Sequence, residues 1–257
     1  MTGPAAGWLK IVGLGPGDPR LLVPAAAEAL ASATDLVGYA TYVDMVPTRD
    51  GQARHVSDNR EELDRAAHAL DLAASGHRVA VVSSGDPGVF AMAAAIFEVL
   101  DGPGAALRWP EVDVEVVPGI TAALAVAARV GAPLGHDWCC LSLSDNLKPW
   151  AIIERRLDAV ASADLVIALY NPVSRHRPWQ LGRAFELLAA HRSPATPVVL
   201  GRDVGRPAEA ITLTTIGAVD LSVVDMRTVI VVGSTTTRTV GDRVYTPRSY
   251  ATTPAGS

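Results

Sequence analysis

The chain has 257 residues, 49% of them hydrophobic, 19% charged and 5% aromatic, with 22 Gly and 18 Pro. That composition excludes a disordered chain, a coiled coil and a collagen, and the length suits two domains of roughly 100–150 residues. A net charge of −5 argues against nucleic acid as the main partner.

The chain opens on Met1 to Gly7, without the basic start and apolar core of a signal peptide. Trp8 to Val12 reads as a strand that runs into the turn Gly13-Leu14-Gly15-Pro16-Gly17-Asp18. Leu21 to Ala33 reads as a helix and Asp35 to Gly38 as a second strand. Asp58 and Glu61 form a capping-box pattern ahead of an amphipathic helix that Gly76 stops. Arg78 to Ser84 is a β-branched run suited to a strand buried on both faces. It enters Gly85-Asp86-Pro87-Gly88 and then a helix over Val89 to Leu100, for which Asp86 could serve as N-cap.

Val112 to Val117 is the next strand, and Pro118-Gly119-Ile120-Thr121 opens an Ala-rich helix ending near Gly131, with Thr121 as its cap. The second half repeats the rhythm: strand 139–143, helix 149–161, strand 164–170, helix 178–191 and strand 197–201. Ala210 to Thr215 and Thr228 to Val232 are strands with no long helix between them, so a hairpin closes a mixed sheet. The tail from Pro247 has no periodicity and is expected to be disordered. The class is α/β in two domains, 1–115 and 116–246, followed by the 247–257 tail.

No apolar stretch of about 18 residues runs free of charge, Gly or Pro, so no membrane partner is expected. Adjacent Cys139 and Cys140 read as reduced core residues, which points to the cytoplasm, and they are too few for a metal site. The strand followed by Gly13-x-Gly15 invites a dinucleotide fingerprint. Asp18 at the third glycine position and Pro16 oppose a pyrophosphate there, which disfavours a nicotinamide oxidoreductase. Four strand-end turns, at 13–18, 84–90, 117–121 and 170–172, remain as candidates to carry chemistry, with Gly201 to Pro207 beside them.

Gly13 to Asp18, Ser84 to Phe90, Val117 to Thr121 and Tyr170-Asn171-Pro172 together resemble the tetrapyrrole methylase family, over about Lys10 to Val232. Further segments, Gly38 to Asp44, Ser142 to Asn146, Tyr170 to Ser174 and Gly201 to Arg206, resemble one branch of it. That branch methylates C17 of precorrin-3B and contracts the ring in cobalamin synthesis. The resemblance implies a two-domain fold, each domain a mixed sheet flanked by helices, with the active site in the interdomain cleft, and a homodimer. It implies S-adenosyl-L-methionine as methyl donor, S-adenosyl-L-homocysteine as product and a small-molecule tetrapyrrole as substrate.

Carried over residue by residue, Ser84, Gly85, Asp86 and Val89 match the segment facing the methionine and sugar of the donor. Thr121 and Ala122 match a second donor segment, Asn171, Val204 and Gly205 the adenine side, and Pro16 a further contact. Position 171 is Met in many relatives, so Asn171 departs from the wider family while matching the branch. Gly13, Gly15 and Gly17 would face the tetrapyrrole. Its carboxylates make Arg54, Arg60, Arg175, Arg177, Arg202 and Arg206 candidates for docking, in a chain whose 22 basic residues include two lysines, Lys10 and Lys148. Asp18 and Asp145 lead as acid–base candidates, followed by Tyr39 and Lys148; Tyr42 reads equally as packing, and His136 and His176 as ordinary loop residues. The alternatives are a cobalt-loaded substrate, methylation at another carbon, and a tetrapyrrole carrier without catalysis.

Overall fold

A computed structural model describes residues 7–58 and 61–250. The chain divides into two compact units after Thr121, so the Pro118 to Thr121 turn packs with the first unit rather than opening the second.

The first unit holds strands β1 (Trp8–Gly13), β2 (Asp35–Tyr39), β3 (Ala53–Ser57), β4 (Arg78–Ser83) and β5 (Asp113–Val117). Its helices are α1 (Pro24–Ser32), α2 (Ala40–Val43), α3 (Glu62–Ala74), α4 (Met92–Leu100) and α5 (Ala105–Arg108). The strand order is β3-β2-β4-β1-β5, and every pairing is parallel. A mixed sheet is therefore found in the second unit and not here: each strand of this unit is joined to the next by a crossover, which leaves no antiparallel neighbour. Both faces are covered. Leu9, Ile11, Val79 and Val81 pack with Ala66, Leu70 and Ile96 on one side, while Val12, Ala80 and Val82 pack with Ala26 and Ala29 on the other. Alternate side chains point to opposite faces, so two apolar layers produce the unbroken apolar run in β4.

Strand β3 escapes a reading by hydrophobicity because its residues, Ala53 to Ser57, are largely polar. It is an edge strand whose side chains make specific polar contacts. His55 Nε2 meets Asp35 Oδ1 at 2.9 Å and its Nδ1 meets His68 Nε2 at 3.1 Å. His77 Nδ1 and Thr34 Oγ1 reach Asp35 Oδ2 at 2.8 and 2.7 Å. Burial pushes the Asp35 carboxyl up, but the hydrogen bonds from Thr34, His55 and His77 outweigh it and hold the group below the usual carboxylate range. The expected capping box is shifted: α3 starts at Glu62, and the Glu61 carboxylate accepts the Asp58 N–H at 3.3 Å.

The second unit contains β6 (Gly131–Ala132), β7 (Trp138–Ser142), β8 (Val166–Tyr170), β9 (Pro197–Arg202), β10 (Ala210–Thr215), β11 (Thr228–Val232), β12 (Arg238–Val240) and β13 (Arg243–Tyr245). Its helices are α6 (Ala122–Val130), α7 (Trp150–Ser162) and α8 (Gln180–Ala189). The main sheet, β10-β9-β11-β8-β7, pairs β7 and β8 in parallel and the rest antiparallel, so it is mixed as expected; the expected hairpin of β10 with β11 is not formed, because β9 lies between them and pairs with both. Ile167, Leu169, Val198, Leu200 and Ile230 pack against Ile153, Leu157, Phe185 and Leu188 of α7 and α8. A small sheet, β12-β13-β6, completes the unit and was not anticipated, because its strands have two or three residues each. The segment after Pro247 is tied down as far as Tyr250, which donates to Asp164 Oδ2 at 3.1 Å and lies edge-on to His136. The rest of the expected disordered tail, 251–257, lies outside the described residues.

Candidate active site

In the first unit, β4, β1 and β5 are neighbours and parallel, so the turns after all three emerge at one edge of the sheet. They meet through backbone. Gly15 donates to Gly85 O at 3.1 Å and Gly85 to Gly15 O at 2.7 Å. Both residues have positive φ, 67° and 70°. A Cβ at Gly119 would lie 2.2 Å from Gly85 O and 2.9 Å from the Gly13 Cα, so this approach requires glycine. Asp86 ties the same turns together: its Oδ1 accepts the Gly88 N–H at 2.8 Å and its Oδ2 the Gly119 N–H at 3.0 Å. Helix α4 begins only at Met92, behind Ala91, so Asp86 is not its N-cap. The carboxylate braces two loops instead.

Phe90, which sequence reasoning passed over, closes this loop with φ 54° and a half-exposed ring. A bulky residue in the left-handed region costs about 1–3 kcal/mol, and such strain clusters at functional loops. Asp18 caps the single helical turn Pro19–Leu21 and accepts from the Arg20 N–H and guanidinium at 2.7–3.2 Å, so it already has a cationic partner. Pro16 is buried beneath the same turn, where Gly17 also has positive φ. Tyr39 packs edge-on against Tyr42 with ring centres 5.4 Å apart. Arg54 was expected to face substrate. It turns inward and donates to the carbonyls of Val43 and Val46, just past α2. Arg60 lies outside the described residues.

In the second unit, the carboxyl ends of β7, β8 and β9 share an edge with the start of β11, because β11 runs antiparallel to β8 and β9. Tyr170 ends β8, and its hydroxyl accepts the Ala123 N–H at 2.8 Å, which satisfies one of the open donors at the start of α6 beside Thr121 and Ala122. Asn171 follows with φ 51°, a conformation Asn tolerates, and its amide donates to Ser142 Oγ at 2.9 Å. Arg177, expected at the surface, is buried. It donates to Asn171 O at 2.9 Å and Leu143 O at 3.3 Å, closing a turn in which Ser174 and Arg177 pair. At the tip of that turn Arg175 and His176 are exposed.

After β9, Asp203 turns with φ 49° and Gly205 with φ 83°, while Val204 is buried. Glu209 accepts the Gly205 N–H at 2.6 Å and both arms of Arg129 at 2.6 and 3.1 Å. Arg202 is committed to Asp225 at 2.9 Å, so it braces this loop from within; Arg206, half-buried, lies farther along it. On the loop after β7, Lys148 donates to Ser144 O at 3.1 Å. Burial and then Arg156 push the Lys148 ammonium below its ordinary range, with Asp145 opposing. Asp145 Oδ2 accepts from Gln180 at 3.0 Å. Burial raises the thiols of Cys139 and Cys140, the former to about 11, so neither is a ready nucleophile. Among the described residues no group of three His, Cys, Asp or Glu is placed to hold a metal ion, and no helix is long and apolar enough to cross a membrane.

Two α/β units with glycine-rich turns gathered at strand ends are the architecture of a methylase acting on tetrapyrroles, and the chain belongs to the Tetrapyrrole (Corrin/Porphyrin) Methylases, whose family model matches residues 9–220. It is 53% identical over 251 residues to a precorrin-3B C(17)-methyltransferase of Sinorhizobium sp, covering 95% of this chain and 98% of that one. A probable cobalt-factor III C(17)-methyltransferase of Salmonella typhimurium is 42% identical over 243 residues, 94% of this chain and 99% of that protein. Among solved structures, the methyltransferase CobJ superposes with a TM-score of 0.89 at 50% identity, covering 94% of this chain and all of that one.

Proposed function

We propose that this protein transfers a methyl group from S-adenosyl-L-methionine to C17 of precorrin-3B and contracts the ring to precorrin-4, in cobalamin biosynthesis. The observation that carries this reading is the 53% identity to the Sinorhizobium precorrin-3B enzyme over nearly its whole length. The 42% identity to the cobalt-factor III enzyme makes a cobalt-loaded substrate the second reading. We further propose a cytoplasmic homodimer.

The donor fits the first unit's loops on chemical grounds. Gly13, Gly85 and Gly119 bring the three turns into direct backbone contact, and Asp86 between them supplies negative charge suited to a cationic ligand. When bound, the sulfonium supplies the methyl group. Ser84, Gly85, Asp86, Val89, Thr121 and Ala122 would hold it, with Pro16 beside them and Asn171, Val204 and Gly205 toward the adenine. The protein's task is then alignment and exclusion of water. As the substrate carbon gains the methyl through its own electron pair, the macrocycle must shed a proton, which calls for a nearby base. Asp145 carries that role best: Asp18 is bound by Arg20, whereas Asp145 has a neutral partner. Lys148 and Tyr39 are the further acid–base candidates. Arg175, exposed at its loop tip, and Arg206 are the arginines to meet substrate carboxylates, with Gly13, Gly15 and Gly17 toward the macrocycle.

The test is incubation with precorrin-3B and methyl-labelled donor, followed by mass and carbon NMR of the product. Label at C17 of a contracted ring is expected. Turnover only with the cobalt-loaded substrate would favour the second reading, and donor binding with no label transfer to either would refute the function. Sedimentation gives the oligomeric state, with twice the chain mass expected.

A further inference from the structure

We infer that Gln180 is the positioning residue for Asp145, holding one carboxylate oxygen so that the other is presented to substrate. The inference rests on the methyltransferase reading above. Gln180 is the first residue of α8 and is 2% exposed. Its Nε2 donates to Asp145 Oδ2, and its Oε1 is buried without a hydrogen-bond partner among the described residues. Leu or Met would fill the same space, next to buried Leu181 and Ala184, without leaving an acceptor unpaired. An unpaired buried acceptor is a standing penalty, so the polar side chain needs a reason to be there. Among the described residues the one hydrogen bond its side chain makes is to Asp145.

Asp145 sits on the loop after β7, partly exposed, and among the described residues Gln180 is its one hydrogen-bond donor. Lys148 and Arg177 are the cations close enough to feel its charge, but both direct hydrogen bonds to backbone carbonyls, at Ser144 and at Leu143 and Asn171. A neutral amide orients a carboxylate while lowering its basicity less than a bound cation would. Asp18 has the opposite arrangement, with the Arg20 guanidinium on both oxygens. The amide donor therefore gives Asp145 a fixed direction without placing a cation on either carboxylate oxygen, which suits proton removal from a macrocycle.

The experiment uses the full chain with precorrin-3B and labelled donor, comparing wild type, Gln180→Leu, Gln180→Met, Asp145→Asn and the Asp145→Asn/Gln180→Leu double variant. The Gln180 variants should lose about 10- to 100-fold in kcat, as expected for a misplaced reacting group, with KM, donor affinity and Tm held or Tm raised. Asp145→Asn should lose at least as much, and the double variant no more than Asp145→Asn alone, because Gln180 acts only through that carboxylate. Full kcat in both Gln180 variants, full kcat in Asp145→Asn, or losses that multiply in the double variant would overturn the inference. A wild type that binds donor and never transfers label would instead sink the functional reading, and this inference with it.

Discussion

The two units gather their loops by different means. At the edge of the first sheet, three turns are joined mainly by backbone, in the Gly15–Gly85 pair and the close approach of Gly119 to Gly85 and Gly13, with a single side chain, the Asp86 carboxylate, bridging two of them. At the edge of the second, side chains do the joining, through Arg177 on two carbonyls, Asn171 on Ser142, Tyr170 on α6 and Glu209 on Gly205 and Arg129. The first arrangement packs three turns backbone against backbone, with little side-chain bulk between them. The second is held by charged and amide groups, each oriented by its own hydrogen bonds. An all-parallel sheet permits the first because adjacent strand ends all face one way; a mixed sheet also brings the start of β11 to the edge and supplies Asp225 there.

The comparison breaks most readily at Gly119. Gly119→Ala puts a Cβ against Gly85 O, where no side chain exists to move aside, and should cost about 3 kcal/mol with loss of donor binding. Thermal melting and calorimetry with the donor measure both; unchanged affinity would mean that the backbone knot is not a donor surface. In the second unit, Arg177→Met leaves the Leu143 and Asn171 carbonyls without their donor and should cost about 2–3 kcal/mol. If melting shows no loss, the side-chain bracing is not what holds that edge. Asp86→Ala removes two bonds to backbone N–H groups and should weaken donor binding about tenfold by calorimetry, for a stability cost of about 1–2 kcal/mol. Arg175→Ala should raise KM for the tetrapyrrole a few-fold, in a salt-sensitive way, and leave Tm where it was, since the side chain is exposed.

The smallest effect belongs to Asp35, at the amino ends of the first sheet's strands and opposite the edge of that sheet that carries the loops. Its carboxyl is held below its unfolded range of about 3.9. Its stabilising contribution is thus fully present above that pH and is lost as pH falls through the lower folded value. Acid-melting curves of Asp35→Asn should lack this component; superposable wild-type and variant acid limbs would show that the His55 and His77 contacts contribute nothing.

Most strands were legible because each belongs to a sheet with buried faces, and β10 and β11 run over the residues expected, Ala210 to Thr215 and Thr228 to Val232. The elements that escaped, β3 and the β12-β13-β6 sheet, are short or polar and are held by pairings that no local pattern announces. The start of α4 was misplaced by three residues, from Val89 to Met92, because Asp86 looks like a cap and Pro87 like a helix start. Tertiary contacts with Gly119 outbid that local preference. Among the candidate arginines, sequence could name those near strand ends but not their direction. Arg54, Arg177 and Arg202 bond within their own unit, whereas Arg175 is presented outward.

By itself, the sequence determined the class, the family resemblance and the glycine-bearing turns at the strand ends, because glycine spacing, apolar periodicity and strand-end motifs are local properties. Only the tertiary structure decided that Asp86 braces rather than caps, that Gln180 stands behind Asp145, and which arginine guanidiniums remain outside. Those outcomes depend on groups 33 residues apart in the case of Asp86 and Gly119, and 35 apart for Asp145 and Gln180. A hydrogen bond across that distance in the chain exists only once sheet order and register have brought the ends together, so its partner cannot be read from either neighbourhood.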